Sequence, residues 1–363
     1  MARHLQRRDR LRRLIRHSGA DAILITNETN VTYLTGFTGD DSLLLVTPAD
    51  AIVLSDPRYA QQLGEQCPDV DAAIRPPGTE LMDTVMKVIR AAKIGRLAIE
   101  AASMTVAFWS ELSDKLPKLE IVSTVNLVEQ LRQIKDREEI AEIREAIKIA
   151  EKAFAVVRAS LRPERTEREV AYELEHQIRL FGGTGCSFTP IVGAGPRAAL
   201  PHAVLSDHRI GESPFVLIDW GARGRLYVSD LTRILITGTI SPKLERLYGL
   251  VREAQAVAIA AIRPGARLKD VDAAARKVIE DAGFGRRFGH GLGHGIGLEV
   301  HEGPRLAANQ EGELKPGMVV TVEPGVYLPG WGGIRIEDDV LVRRTGHEVL
   351  STVPKELDQC VLS

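Results

Sequence analysis

Over the first third of the chain, apolar residues come in short runs at 22–26, 43–47 and 51–54. Stretches of helical period follow near 59–65 and 81–92. Short strands alternating with helices predict an α/β layer domain for residues 1–130. Leu11, Leu14 and Ile15, among the seven arginines of residues 1–17, fit a basic amphipathic first helix with a solvated polar face. From 131 to 161, Ile140, Ile143, Ile147, Ala150, Phe154 and Val157 recur at helical spacing among Glu138, Glu142, Glu145, Lys148 and Lys152. That pattern predicts one long amphipathic helix, ended before Pro163, which opens a second domain spanning 131–363. Another helix follows Thr166.

Two strand pairs and a glycine-rich stretch dominate the second domain. Residues 215–232 read as strand, glycine-containing turn and strand, and a fold symmetric about Gly224 and Arg225 sets Asp219 opposite Asp230. Helical patterns at 243–262 and 268–282 come next. Residues 318–327 and 334–342 form a further strand pair; folding about Gly330 sets Glu323 opposite Glu337, with Arg335 on the face of Glu337. Between the pairs, glycines alternate from Gly289 to Gly297 around His290, Leu292, His294 and Ile296. A helix there would lose roughly 1 kcal/mol per Gly relative to Ala, so the backbone is extended or looped. Even spacing puts His290 and His294 on one face, and a bend or bulge at Gly295 or Gly297 turns His301 toward the same cavity.

Composition narrows the function classes. A chain of 363 residues, 44% hydrophobic and 26% charged, is an ordinary soluble protein with room for two cores. A net charge of -2 argues against a nucleic-acid partner. Cys67, Cys186 and Cys360 are too scattered for a disulfide framework, which favours a reducing cytoplasm. No apolar h-region follows the N-terminal arginines and no apolar run approaches a membrane span, so neither a secretory signal nor membrane insertion is expected. The first domain carries no GxGxxG after a strand and no GxxxxGK[ST], which leaves no expectation of dinucleotide or P-loop chemistry. Asn27, Asn30, Tyr33 and Arg58 fit either a site border or loops and caps.

The acidic pairs carry the chemistry. Like charges opposite one another on apolar strands are destabilising unless something positive lies between them. Two such pairs, with a histidine on glycine-rich backbone between them, point to cations held by Asp219, Asp230, His294, Glu323 and Glu337. The bland alternatives are a hydrogen bond from Thr232 to Asp230, an Arg335–Glu337 pair, and Glu323 as a strand-end acid. Two ions roughly 3.5–4 Å apart can generate a hydroxide at neutral pH. Glu323 is the candidate proton shuttle. His301 and His202 are the candidate stabilisers of a tetrahedral intermediate, with His290 beside the substrate and Arg335 completing the catalytic group. His202, a lone histidine after Pro201, carries little weight by itself.

The same residues resemble a known family. Leu200-Pro201-His202, Ser229-Asp230-Leu231-Thr232-Arg233, Gly293-His294-Gly295-Ile296-Gly297, Val300-His301-Glu302, Glu323-Pro324-Gly325 and Arg335-Ile336-Glu337-Asp338-Asp339 are similar to the motifs of the pita-bread metallopeptidases. Residues 30–39, Asp56-Pro57-Arg58-Tyr59 and Leu131-Arg132-Gln133-Ile134-Lys135 look like the creatinase-type N-terminal domain and junction of the Xaa-Pro branch, the Xaa-Pro aminopeptidases and Xaa-Pro dipeptidases (prolidases). Ile234 stands where a Thr often follows the Thr-Arg pair, and Leu226 where a Gly often precedes the Tyr. The resemblance implies an α/β creatinase-like domain followed by an α+β domain with a curved antiparallel sheet and flanking helices. It also implies a homodimer and cleavage of the Xaa-Pro bond of short peptides with two divalent ions; the donor set of four carboxylates and one imidazole suits Mn²⁺ foremost, with Co²⁺ or Zn²⁺ also accommodated. The alternatives are a non-catalytic peptide-binding protein on the same fold and a creatinase-like C–N hydrolase.

Overall fold

A computed structural model describes residues 2–362, and the chain divides into two compact units, Met1–Arg132 and Gln133–Ser363. The first unit holds strands β1 (Ala22–Ile25), β2 (Leu43–Val46), β3 (Ala51–Ser55), β4 (Asp71–Ile74), β5 (Arg96–Glu100) and β6 (Glu120–Thr124). They form one mixed sheet in the order β4-β3-β2-β1-β5-β6, antiparallel at β1–β2 and β2–β3 and parallel elsewhere. Six helices accompany it: α1 (Ala2–Ser18), α2 (Glu28–Thr35), α3 (Ala60–Gln66), α4 (Leu81–Ala91), α5 (Val106–Lys115) and α6 (Leu127–Arg132). Leu24, Leu45, Val85, Leu97 and Leu112 pack the core.

The four polar residues flagged in this unit have structural partners. Asn27 caps α2 by accepting from the Asn30 amide, and the buried Asn30 donates to Glu100 and Glu129 and accepts from Arg132. Tyr33 is buried, and Arg58 pairs with Asp56 and Asp41.

The second unit is built from antiparallel strands. Helix α7 (Arg137–Ser160) opens it, starting later than the apolar period suggests: Asp136 and Glu139 form a capping box that fixes the start, and residues 133–136 run between α6 and α7. Helix α8 (Glu167–Leu180) is capped the same way by Thr166 and Glu169. Strands β7 (Gly185–Cys186), β8 (Ile191–Ala194), β9 (Phe215–Trp220), β10 (Ala222–Arg223) and β11 (Leu231–Ile236) follow, then α9 (Pro242–Ala261) and α10 (Leu268–Asp281). The remainder is β12 (Gly293–Gly295), β13 (Glu302–Leu306), β14 (Val319–Val322), β15 (Gly325–Leu328), β16 (Gly332–Arg335), β17 (Asp338–Val342) and β18 (His347–Val349). The ladders run β11-β9-β8, β13-β12-β14-β17-β18, β15-β16 and β10-β7. Residues of α9 and α10 share one core with β9, β11, β14 and β17, where Ile234 lies fully buried among apolar neighbours.

The first acidic strand pair departs from symmetry. Asp219 pairs in register with Thr232, so Asp230 lies two residues short of facing it. Residues 224–230 form no strand, only the bridge of Val228 to Arg223, and are tied by Gly224 N to Tyr227 O, Ser229 N to Ala222 O and Val228 N to Gly297 O. A slip of two keeps side chains on their face where a slip of one would reverse them. The second pair has the symmetric register, Val322 with Asp338 and Gly325 with Arg335, and Glu323 and Glu337 sit in the break between those two ladders. Among the described residues, no helix is long and apolar enough to cross a membrane.

Candidate metal centre

His294 reaches the site on β12, a strand pressed between its neighbours. A Cβ on Gly293 would stand 2.0 Å from Thr321 O, and one on Gly295 2.1 Å from Gly303 O, so only glycine fits on either side of the histidine. The ladder to β13 shifts register between His294 and Gly295. His294 N donates to Thr321 Oγ1 at 3.1 Å, the same hydroxyl lies 3.1 Å from Glu323 Oε1, and His294 Nε2 lies 3.3 Å from Glu323 Oε1.

Ligand-type atoms of Asp230, His294 and Glu337, all buried, lie within 4.8 Å of one another. Asp219 and Glu323 border that trio without joining it at this spacing. Asp219 Oδ2 accepts from Arg335 Nη2 at 2.5 Å, and Arg335 also donates to Thr232 Oγ1 (3.1 Å) and Tyr327 Oη (2.8 Å). The Thr232 hydroxyl in turn donates a hydrogen bond to Glu337 Oε2 at 2.7 Å. Arg335 is therefore the partner of Asp219 and not of Glu337, and Thr232 serves Glu337 and not Asp230.

Electrostatics mark the acids as short of positive charge. Burial pushes Asp230 and Glu337 well above the usual carboxylate range; Glu337, Asp219 and Glu323 add repulsion at Asp230, and Glu323 and Asp219 add it at Glu337. Asp219 is raised too, again by burial, with Arg335 opposing. Glu323 departs the other way: burial raises it, but His294 wins and holds it at about 2. His294 is raised, the Glu323 carboxylate outweighing burial. The buried oxygens Asp219 Oδ1, Glu337 Oε1 and Asp339 Oδ1 have no hydrogen-bond partner. Such oxygens are rare in folded proteins, and divalent cations take oxygen and imidazole donors of this kind, so the donor set fits metal.

The other histidines frame a cleft of ≈ 1180 Å³ whose wall includes His202, Asp219, Asp230, His290, His294, His301, Glu323, Tyr327, Arg335 and Glu337. His301 stacks edgewise on His294 with ring centroids 4.4 Å apart. His290 Nδ1 lies 2.8 Å from Gly291 O and so carries the proton, leaving Nε2 to accept from Tyr327 Oη at 2.9 Å. Burial holds His290 below the ordinary histidine range, consistent with a neutral ring.

Three contributors escape the sequence reading. Asp339 is fully buried, accepts from the Asp230 amide at 3.2 Å, and is driven by burial to about 8. Tyr327 links His290 to Arg335, and Thr321 links His294 to Glu323. For Asp339, Tyr327 and Thr321 alike the sequence offered no signal beyond strand parity.

Residues 141–344 match the model of metallopeptidase family M24, and residues 7–134 match the creatinase/prolidase N-terminal domain. An uncharacterized peptidase of Bacillus subtilis is 41% identical over 96% of this chain and 98% of its own length. Among solved structures, the Xaa-Pro dipeptidase from Bacillus anthracis superposes with a TM-score of 0.94 at 39% identity, covering 98% of this chain and 99% of that one. The X-Pro aminopeptidase from Thermotoga maritima does so with 0.87 at 35% identity, covering 95% and 99%. Family membership implies divalent metal ions as the cofactor, in agreement with the donor set. The chain is a member of metallopeptidase family M24, with a creatinase/prolidase N-terminal domain ahead of the catalytic one.

Proposed function

We propose that this chain is a two-metal exopeptidase hydrolysing the Xaa-Pro bond at the N-terminus of short peptides. We assign residues 1–130 to the creatinase-like domain and 131–363 to the catalytic domain. The observation that carries the reading is the buried convergence of Asp230, His294 and Glu337 at a cleft, with carboxylate oxygens lacking any donor. The names of the similar proteins support the Xaa-Pro substrate. Asp219, Asp230, His294, Glu323 and Glu337 hold the ions; four carboxylates and one imidazole suit Mn²⁺, with Co²⁺ or Zn²⁺ also accommodated. When bound, such ions polarise the scissile carbonyl and make a water acidic enough to attack at neutral pH.

The remaining steps fall to side chains. Glu323 accepts a proton from the attacking water on a carboxylate oxygen and returns it to the proline nitrogen, which has no hydrogen of its own. His301 and His202 border the scissile bond and donate to the developing oxyanion. Arg335 fixes Asp219, while Tyr327 fixes neutral His290 against the substrate. A homodimer in the cytoplasm is the proposed setting, consistent with three free cysteines.

The test is cleavage of a matched Xaa-Pro dipeptide and Xaa-Pro-Yaa tripeptide by protein reconstituted with Mn²⁺, with and without EDTA. Turnover that requires metal is expected. Turnover surviving complete metal removal overturns the reading in favour of a creatinase-like hydrolase, and binding without turnover favours a peptide-binding protein.

A further inference from the structure

Two motifs far apart in sequence meet in the catalytic unit without entering the chemistry above. Lys135 ends the Leu131–Lys135 stretch, and Glu302 follows His301. Lys135 Nζ lies 3.2 Å from Glu302 Oε2, with the side chains 1% and 5% exposed. The other oxygen, Oε1, accepts from the amides of Leu298 (2.9 Å) and Glu299 (3.1 Å). Gly297 leaves the space the carboxylate fills: a Cβ there would stand 2.7 Å from Glu302 Oε2. Lys135 is itself anchored, its amide donating to Gly317 O at 2.9 Å.

The turn from Gly297 to Glu302 is thus wrapped around one buried carboxylate, and that carboxylate pairs with the buried Lys135. His301 stands on this turn and faces the cleft. Burying a carboxylate against a lysine is weak support for stability in itself, because desolvation offsets most of the attraction; such pairs fix one arrangement among several. The arrangement fixed here is the direction of an imidazole that, among the described residues, has an edge contact with His294 and no hydrogen bond of its own.

We propose that Lys135 and Glu302 are positioning residues for His301, holding its ring at the scissile bond through the 297–302 turn. This rests on the role given to His301 above. A ring acting on the intermediate alone affects turnover more than substrate binding.

The experiment measures kcat, KM, metal per chain and amide exchange on Mn²⁺-loaded full-length protein. Lys135→Met is expected to lower kcat about 10-fold or more with KM within about 3-fold, and in a His301→Ala background to lower it by less than about 2-fold. Metal per chain stays constant, while exchange at the Leu298 and Glu299 amides quickens by about 10-fold. Equal losses in both backgrounds, or unchanged exchange, overturn the inference. His301→Ala running at the native rate instead overturns the role of His301 itself. If Lys135→Met does not fold, Glu302→Gln keeps an oxygen for both amides, removes the charge and the acceptor facing Lys135, and is read by the same cycle.

Discussion

Arg335 on β16 and Asp219 on β9 meet at 2.5 Å, guanidinium Nη2 to carboxylate Oδ2, with side chains only 3% and 11% exposed. One acid of the proposed metal set therefore has a permanent countercharge, while Asp230 and Glu337 have none of comparable closeness. Removing one partner of a buried pair leaves the other uncompensated, typically at about 3–5 kcal/mol. Arg335→Met is accordingly expected to destabilise the metal-free protein by about that much and the Mn²⁺-loaded protein by less. Urea denaturation with and without Mn²⁺ reads the difference; equal losses in both would mean that the cation and the guanidinium do not share Asp219.

Metal occupancy and turnover should separate by residue. Asp230→Asn is expected to lose metal and activity together, since it removes a charge from the tightest part of the donor set. His301→Ala is expected to keep its metal and lose roughly 10²–10³ in kcat, the usual range for removing an oxyanion donor. Metal analysis alongside steady-state kinetics checks both, and a metal-depleted His301→Ala would reassign that ring to the donor set.

Tyr327→Phe deletes one oxygen that accepts from Arg335 and donates to His290. A loss of about 10-fold in kcat/KM is expected, equivalent to ~1.4 kcal/mol, with metal content unchanged. Peptide kinetics and metal analysis measure it; a fall in metal content would show that Tyr327 acts through Asp219.

The metal-free protein should weaken as pH rises. Asp339 titrates at about 8 and Asp230 and Glu337 lie well above the carboxylate range, burial being the first cause for each. A carboxyl raised on folding binds more protons in the native state than unfolded, so stability falls between its unfolded and folded values. Raised His294 loses its contribution in the same direction. Glu323, lowered to about 2, and His290, lowered by burial, act in the opposite sense but only at lower pH. From pH 7 to 9 Asp339 alone, pushed up to about 8, accounts for a loss of about 1.4 kcal/mol, which would lower Tm by about 3–6 °C, at 2–4 °C per kcal/mol for a unit of this size. Thermal melts with EDTA and with Mn²⁺ test it: the metal-loaded protein is expected to be flat, and parallel curves would refute the assignment.

Strand parity made most of this site legible in sequence. Folding residues 318–342 about Gly330, whose φ of 81° suits a glycine turn, gives the observed register. The same logic at Gly224 misses by two, because the turn is centred one residue later: Gly224 N bonds to Tyr227 O around Arg225 and Leu226, and Arg223 bridges to Val228. No local pattern announces that, yet a slip of two leaves the acids on their face. The start of α7 was written in Asp136 and Glu139 and hidden by an apolar period running through Leu131 and Ile134. Asp339 stayed hidden for a different reason: an acid next to Asp338 in a strand reads as solvated until burial is known. The pairing of Lys135 with Glu302, 167 residues apart, has no trace in local pattern at all.

The glycines on either side of His294 set how this centre can change over time. With carbonyl oxygens about two ångströms from where each missing methyl would sit, even alanine at Gly293 or Gly295 would have to pry apart neighbouring strands. A lineage can therefore exchange cleft-wall residues and alter its diet of peptides, while the imidazole at the bottom stays put.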